Sequence, residues 1–505
     1  MNYRSSLAKM LAFATLLVVS RASSQDTKPA AQSPDRSSGK SHAMKQKWVF
    51  TTGGDVSATP TIGNDALYFP DWGGNLFAVR KGDGQVIWSH KISEYDGVFG
   101  SVSRVSPALH GDDLILGDIE SGNLPHNGAN MMAVDRHTGA LKWKTQVDTN
   151  PAAIITGSAV VLGDVAYVGV SSNEEALASS NSYKCCSFRG SVVAMNANSG
   201  AILWKTFVVP GPDSQTPSYS GGAIWQLPAI DTARGSLYVG TGNNYSVPDS
   251  VKACQAASNP TGNSCLAADD FFDSALSLDL KTGAVKWAKR LQGFDVWTVA
   301  CISQPVGVNC PSPSSPDYDL GGSGPNLLPT MVGFGQKSGM YWALDPDTGK
   351  IKWSTVVGPG GTLGGIEWGT ATDGSRIYVA IANGGHEPYR LRPSGVTTTG
   401  GAWSALDVST GEVLWQTADP MGAIDTGAVT VANGSVYAGS YSGHMYTLNA
   451  KTGQITFDFD SKGSVIDAPA IVDGVVYWGS GYKKISPGIG NNQVFAFEAR
   501  GDDRR

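Results

Sequence analysis

One pattern recurs down this chain often enough to decide its architecture. It reads MAVDRHTGALKW ending at Trp143, VAMNANSGAILW ending at Trp204, LSLDLKTGAVKW ending at Trp287, WALDPDTGKIKW ending at Trp353 and SALDVSTGEVLW ending at Trp415. Looser copies are FAVRKGDGQVIW ending at Trp88 and YTLNAKTGQITF ending at Phe457. Each copy is two strands and a turn. Apolar residues alternate ahead of the Asp, as a half-buried strand requires. Asp or Asn then starts a tight turn, and Gly supplies its positive φ. A second hairpin, such as TPTIGNDALYFPD or APAIVDGVVYWGS, precedes most copies, and four strands per repeat make a propeller blade.

The ends of the chain set the blade number. Seven copies are complete, and an eighth begins at QVFAFEA, residues 493–499, without its last strand. The segment KWVFTTG near the N-terminus fits that vacancy, with Trp48 in the Trp position. The expected fold is therefore an all-β, eight-bladed β-propeller over residues 46–499, with the N- and C-terminal strands sharing one blade. A solenoid is the alternative for a periodic chain, but it has no reason to pair its ends.

Composition agrees. Of 505 residues, 63 are glycine and only 16% are charged, which suits tight turns between strands rather than long helices. The net charge of −6, without any basic run, argues against nucleic acid as a partner. Arg4 and Lys9, then the apolar stretch Met10 to Val19, then Ala22-Ser23-Ser24, read as a signal peptide over 1–24. Residues 25–45 read as a flexible leader and 500–505 as a polar tail. No other stretch is long and apolar enough for a membrane span, so the expected location is periplasmic or secreted. Six cysteines in an oxidising compartment favour disulfides. The economical pairing is local: Cys185–Cys186, Cys254–Cys265 and Cys301–Cys310. No Cys-x-x-Cys-His motif for haem attachment is present, and nothing resembles a four-ligand zinc set.

At these repeats the sequence resembles the quinoprotein alcohol dehydrogenases, whose eight-bladed propellers bind pyrroloquinoline quinone (PQQ). The stretch CCSFRGSVVAMNANSG, residues 185–200, is most similar to the polyvinyl-alcohol-dehydrogenase-like branch. The resemblance implies a site, residue by residue. Thr156 and Glu174, 18 residues apart, match a PQQ-contacting Thr and a calcium-binding Glu, although Glu175 is a neighbouring carboxylate onto which the ligand role could slip. Trp225 and Asn243, also 18 apart, match the Trp under the quinone and an amide ligand of the metal. Arg104 matches an arginine that holds a PQQ carboxylate, and Lys337 the cation that reaches the quinone oxygens. The implied activity is PQQ- and Ca2+-dependent oxidation of a small-molecule or polymeric alcohol. Without a haem motif, electrons would leave through a separate acceptor such as a cytochrome c.

The pattern also departs from that family. Its catalytic aspartate directly follows a tryptophan in Asp-x-Trp-Asp, whereas here the motif is Asp295-Val296-Trp297-Thr298. Asp295 is the only carboxylate left in the motif. It is the candidate base, with turn capping as its other role. Ala300 stands where the lanthanide-using branch has a second Asp, so calcium is expected. The pair Cys185-Cys186 follows Glu174 instead of preceding the arginine matched by Arg104, and either covers the quinone or stiffens its loop. The rival reading is a non-catalytic propeller that serves as a binding or assembly scaffold. Thr298 favours it, and the set Glu174, Trp225, Asn243 and Lys337 opposes it.

Overall fold

The computed structural model describes residues 44–119, 128–211, 218–257, 265–320 and 322–499. The signal peptide, the leader up to residue 43 and the tail 500–505 lie outside these residues. The described chain forms eight antiparallel sheets of four or five strands that follow one another in sequence, with two further two-stranded pairings, Ser220–Gly221 with Asn244–Ser246 and Tyr389–Arg390 with Thr397–Thr398. Their innermost strands begin at Thr61, Ala108, Val160, Ala229, Asn326, Ala371, Val429 and Ala470, for blades 1 to 8. This is the eight-bladed propeller expected from the repeats. In blade 3 the innermost strand is split into Ala153–Ile154 and Val160–Leu162.

The repeat motif explains why the blades hold together. In each of seven interfaces the motif Trp reaches the turn of the next blade. Trp48, Trp88, Trp143, Trp204, Trp287, Trp353 and Trp415 donate Nε1–H to a turn carbonyl of the following blade at 2.9–3.2 Å. Each indole also lies flat against the glycine of that turn. A Cβ on Gly411, for example, would come within 2.4 Å of the Trp353 ring, and Gly411 has φ +74°. The glycine is thus required twice, by backbone conformation and by the incoming ring. The repeated Asp adds the turn's internal bonds. Asp407 Oδ1 accepts hydrogen bonds from Ser409 N, Thr410 N and the Thr410 hydroxyl.

The ring closes as expected. Met44–Thr51 pairs antiparallel with Gln493–Ala499, and Trp48 faces Ala496 just as Trp143 faces Ala133. The strand starts at Met44, two residues inside the stretch read as leader.

Successive connections in an up-and-down sheet alternate between its two ends. The Thr-Gly turns therefore crowd one end of the propeller. The links between blades, and between the second and third strands of each blade, crowd the other. Every candidate site residue and all three cysteine pairs lie in those latter links.

Candidate functional site

The segments that lead into the innermost strands of all eight blades enclose a central cavity of about 380 Å³. Arg104, Thr156 and Trp225 line it, each four residues ahead of its blade's innermost strand. Thr156 Oγ1 donates to the Trp225 carbonyl at 3.3 Å, which ties blades 3 and 4 at the cavity wall. The Trp225 ring packs edge-on where blade 5 has Gly322; a Cβ there would come within 2.3 Å of the indole. The Arg104 guanidinium sits 5.5–5.9 Å from the ring centres of Trp72, Trp368 and Tyr482 and has no hydrogen bond or ion pair to any described residue. A partly exposed cation held by aromatic faces, without a counter-anion, suits an acidic group entering the cavity.

Beside Trp225 lies a buried charge cluster. Lys337, 8% exposed, places Nζ 5.6 Å from the Trp225 ring centre, 3.1 Å from both oxygens of Asp317 and 3.6 Å from Asp319 Oδ2. Burial alone would lower the lysine's pKa. Asp317, Asp319, Glu367 and Glu175 outweigh that effect and hold it above the ordinary lysine range. Asn243 joins the cluster through its backbone N–H, which donates to Asp319 Oδ1 at 2.6 Å. Its Nδ2 donates to the carbonyls of Asn244 and Trp297 at 3.0 and 2.9 Å, which leaves Oδ1 as the acceptor end of the amide.

The two adjacent glutamates part company. Both open the short helix Glu174–Leu177, where successive side chains point about 100° apart. Glu174 is fully buried. It accepts hydrogen bonds from the Tyr183 hydroxyl at 2.9 Å, from Ser187 N at 2.8 and 2.9 Å, and from Phe188 N at 2.7 Å. Its carboxylate is thus taken up in fastening the loop that carries the bonded pair Cys185–Cys186. Glu175 turns toward the charge cluster, and its Oε1 is buried without a hydrogen-bond partner. Burial, with Asp319 reinforcing it, pushes the Glu175 carboxyl up to about 8. The expectation that places a cation on Glu174 therefore meets a carboxylate already saturated by donors, while the orphaned oxygen belongs to Glu175.

Asp295 is fully buried as well. Its Oδ2 accepts the Tyr318 N–H at 2.7 Å, and its Oδ1 accepts the Ser315 hydroxyl. Thr298 donates its hydroxyl to the Asn309 carbonyl at 3.0 Å. The other cysteines pair as expected, Cys254–Cys265 and Cys301–Cys310. Asn309 Nδ2 donates to the carbonyls of Ala178, Ser180 and Tyr183 at 3.0–3.1 Å, which joins the Cys301–Cys310 loop to the Cys185–Cys186 loop.

Asp317, Asp319 and Glu367 were not expected from the sequence. Glu367 had a legible signal. It stands four residues ahead of the innermost strand of blade 6, the same register as Arg104, Thr156 and Trp225. Burial pushes its carboxyl up to about 8.

A further buried acid, Asp467, lines the cavity from blade 8, and burial pushes it up to about 8 as well. A carboxyl raised from about 3.9 in the unfolded chain favours folding most below that value. The contribution is lost as pH rises through the folded value. Asp467→Asn keeps an acceptor for Gly479 N, now 3.1 Å from Oδ2. We expect this variant to raise the melting temperature more at pH 8 than at pH 5, by up to a few kcal/mol of stability. Equal shifts at both pH values would show that Asp467 ionises normally.

Comparison with known proteins locates the chain among relatives. The family model described as outer membrane protein assembly factor BamB matches residues 35–184, 106–289 and 399–503. A polyvinylalcohol dehydrogenase of Sphingopyxis sp. (strain 113P3) is 32% identical over 488 residues, covering 87% of this chain and 68% of that protein. A polyvinylalcohol dehydrogenase of Pseudomonas sp. is 29% identical over 479 residues, covering 87% and 69%. Among solved structures, the quinohemoprotein alcohol dehydrogenase from Comamonas testosteroni superposes with a TM-score of 0.65 at 19% identity, over 91% of this chain and 77% of that one.

Proposed function

The chain belongs to the quinoprotein alcohol dehydrogenase family, in its polyvinylalcohol dehydrogenase branch, and from that premise we propose that it oxidises an alcohol using bound PQQ and calcium. The electrons pass to a separate acceptor such as a cytochrome c. The observation that carries this reading is the pairing of Trp225 with Lys337, with Arg104 on the same cavity held by aromatic rings and no counter-anion among the described residues. A flat anionic quinone needs an aromatic face, cations for its carboxylates and a donor for its carbonyl oxygens, and these residues have that chemistry.

In this reading Trp225 offers the stacking face, Arg104 and Thr156 take the carboxylates, and the Lys337 ammonium donates to a quinone oxygen. The loop of Cys185–Cys186 forms part of the mouth. Glu175 and Asn243 Oδ1 suit calcium, a hard cation that accepts several oxygen ligands. Glu175 takes the role first read onto Glu174, because it carries the free oxygen. When bound, PQQ supplies the hydride acceptor and calcium the Lewis acid that polarises it. The chain's own share is orientation, exclusion of water and acceptance of the hydroxyl proton by a carboxylate of the Lys337 cluster.

Among the described residues no helix is long and apolar enough to cross a membrane. Three disulfides fit an oxidising compartment, and we place the protein in the periplasm or outside the cell.

Reconstitution tests the reading. Protein mixed with PQQ and calcium should retain the quinone by absorbance and reduce an artificial acceptor when given an alcohol, small or polymeric. Trp225→Ala should weaken quinone retention by about 10- to 100-fold, the worth of one buried aromatic face. Wild-type protein that binds no quinone would sink the enzyme reading and leave the scaffold.

A further inference from the structure

The link from blade 6 to blade 7 carries two buried acids that no described cation balances. Asp419 follows the outermost strand of blade 6, and Asp425 stands four residues ahead of the innermost strand of blade 7. They are 4% and 0% exposed. Asp419 Oδ1 accepts Met421 N at 2.6 Å and Ala423 N at 3.1 Å. Its Oδ2 and both oxygens of Asp425 are buried without a hydrogen-bond partner. The two carboxyls lie against each other, with the Ser440 hydroxyl beside Asp425. Burial, reinforced by Asp419, pushes the Asp425 carboxyl well above the ordinary carboxylate range. In the Lys337 cluster an ammonium offsets such crowding, whereas no described Lys or Arg offsets it here.

A second set of unsatisfied groups faces this pair. Trp403 pairs with Thr417 in the ladder, so Trp403 and Asp419 share one face of blade 6. The Tyr446 ring of blade 7 packs on Trp403, with ring centres 5.1 Å apart. Trp403 Nε1 and the Tyr446 hydroxyl are buried without partners, in residues 1% and 0% exposed. The charges of both acids reach the Tyr446 phenol, and that of Asp425 reaches the phenol of Tyr389, whose hydroxyl is orphaned too. Gly401 leaves the acids their room, since a Cβ there would come within 2.7 Å of Asp425 Oδ2. One proton shared by the two acids would join a single pair of these oxygens and leave the others bare.

We propose that the link between blades 6 and 7 holds a calcium ion of its own, bound by Asp419 Oδ2 and Asp425 and separate from the one read beside Asn243. Two anions suit a divalent charge, and calcium takes oxygen ligands in an irregular cradle. The Ser440 hydroxyl is a third protein oxygen, and waters on the ion accept from Trp403 Nε1 and the Tyr446 hydroxyl. The ion's effect is structural. Asp425 N donates to the Ala382 carbonyl, and the neighbouring Thr426 carbonyl accepts Trp368 N, both at 3.3 Å. Fixing Asp425 therefore steadies Trp368, one of the rings around Arg104 on the central cavity. No quinone is needed for any of this, so the site stands or falls apart from the functional reading.

Calcium binding to the chelator-stripped, quinone-free chain tests the site, in a Glu175→Gln background that removes the ligand read at the other one. Titration calorimetry on this parent should find a calcium ion bound by each chain. Magnesium, which demands near-octahedral geometry, should bind at least about tenfold more weakly. Asp425→Asn and Asp419→Asn should each weaken calcium at least about a hundredfold. Asn at position 419 can keep its oxygen toward the Met421 and Ala423 amides, so that variant folds. Without calcium, Asp425→Asn should melt no lower than its parent, because a neutral amide replaces a crowded buried acid. Calcium should slow hydrogen exchange at the Asp425 and Trp368 amides at least about tenfold in the parent and leave it unchanged in Asp425→Asn. A parent that binds no calcium, with Asp425→Asn melting higher, would mean that the acids hold a shared proton and water only, and would overturn the proposal. Calcium bound equally well by both Asp variants would place the ion elsewhere. Magnesium bound as tightly as calcium would overturn the choice of ion. Failure to bind quinone touches none of these readouts and would count against the functional reading alone.

Discussion

A chain lacking residues 44–51 should not form a stable ring. This segment is the outermost strand of blade 8, supplied from the other end of the chain, and all its ladder bonds go to Gln493–Ala499. It also carries Trp48, 8% exposed, whose indole lies on Gly84 of blade 1 and donates to the Lys81 carbonyl at 3.0 Å. Losing one such buried aromatic costs about 3–5 kcal/mol. The whole fold is worth only about 5–15 kcal/mol. The deletion would in addition expose the edge formed by Gln493–Ala499, an invitation to aggregate. The expected result is a low, broad melting transition by circular dichroism and high-mass species on gel filtration. A monomeric truncation with wild-type melting would mean that the blade-8 to blade-1 seam contributes little. Trp48→Ala in the full chain isolates the seam contact from the strand, and should lower stability by about the same 3–5 kcal/mol without aggregation.

The propeller was legible because its strongest inter-blade contact is written twice in each repeat. The Trp of one blade and the Gly of the next must both be present for the indole to lie flat on the turn, so the pair recurs with the period of the blade. The terminal strand could be placed because Trp48 carries one half of that contact without the rest of its repeat. The split innermost strand of blade 3 was not legible. It arises where the chain turns at Ile155–Ala159 to bring Thr156 to the cavity wall, and Gly157 there, where a Cβ would come within 2.7 Å of the Gln226 backbone, weakens a strand without fixing where it divides.

The site was legible where it follows the register of the blades. Arg104, Thr156 and Trp225 share a position relative to their strands, and that register reaches Glu367 when it is carried on to blade 6. It was not legible where a long link folds back on itself. Asp317 and Asp319 lie far along the link between blades 4 and 5, and they come to Lys337 because Asp295 holds the intervening turn. Spacing from Thr156 could not separate Glu174 from Glu175 either. That choice depends on which way a one-turn helix is rotated, and the rotation is set by the Ser187 and Phe188 amides that capture Glu174.

Those two glutamates should therefore respond in opposite ways to the same substitution. Glu175→Gln replaces the carboxyl whose orphaned oxygen faces the Lys337 cluster and which would bind calcium as its anion, and a calcium site is tuned by the number of charged ligands it has. Calcium affinity, read by titration in the presence of PQQ, should fall at least about a hundredfold, or about 2.7 kcal/mol, and quinone retention with it. Melting of the calcium-free protein should hold or rise, because a buried carboxyl with an orphaned oxygen is exchanged for a neutral amide. Glu174→Gln does something else. The amide nitrogen can face the Tyr183 and Ser187 hydroxyls, which turn to accept, while the amide oxygen keeps the Ser187 and Phe188 N–H groups. Those two bonds then lose a charged acceptor, which costs about 1–2 kcal/mol, so this variant should melt lower with or without calcium. It should also loosen the Cys185–Cys186 loop, seen as faster hydrogen exchange at Ser187 and Phe188, while retaining calcium affinity within about tenfold. The reverse pattern, with calcium lost in Glu174→Gln and kept in Glu175→Gln, would return the ligand role to Glu174. It would require the loop to release that carboxylate whenever the metal binds.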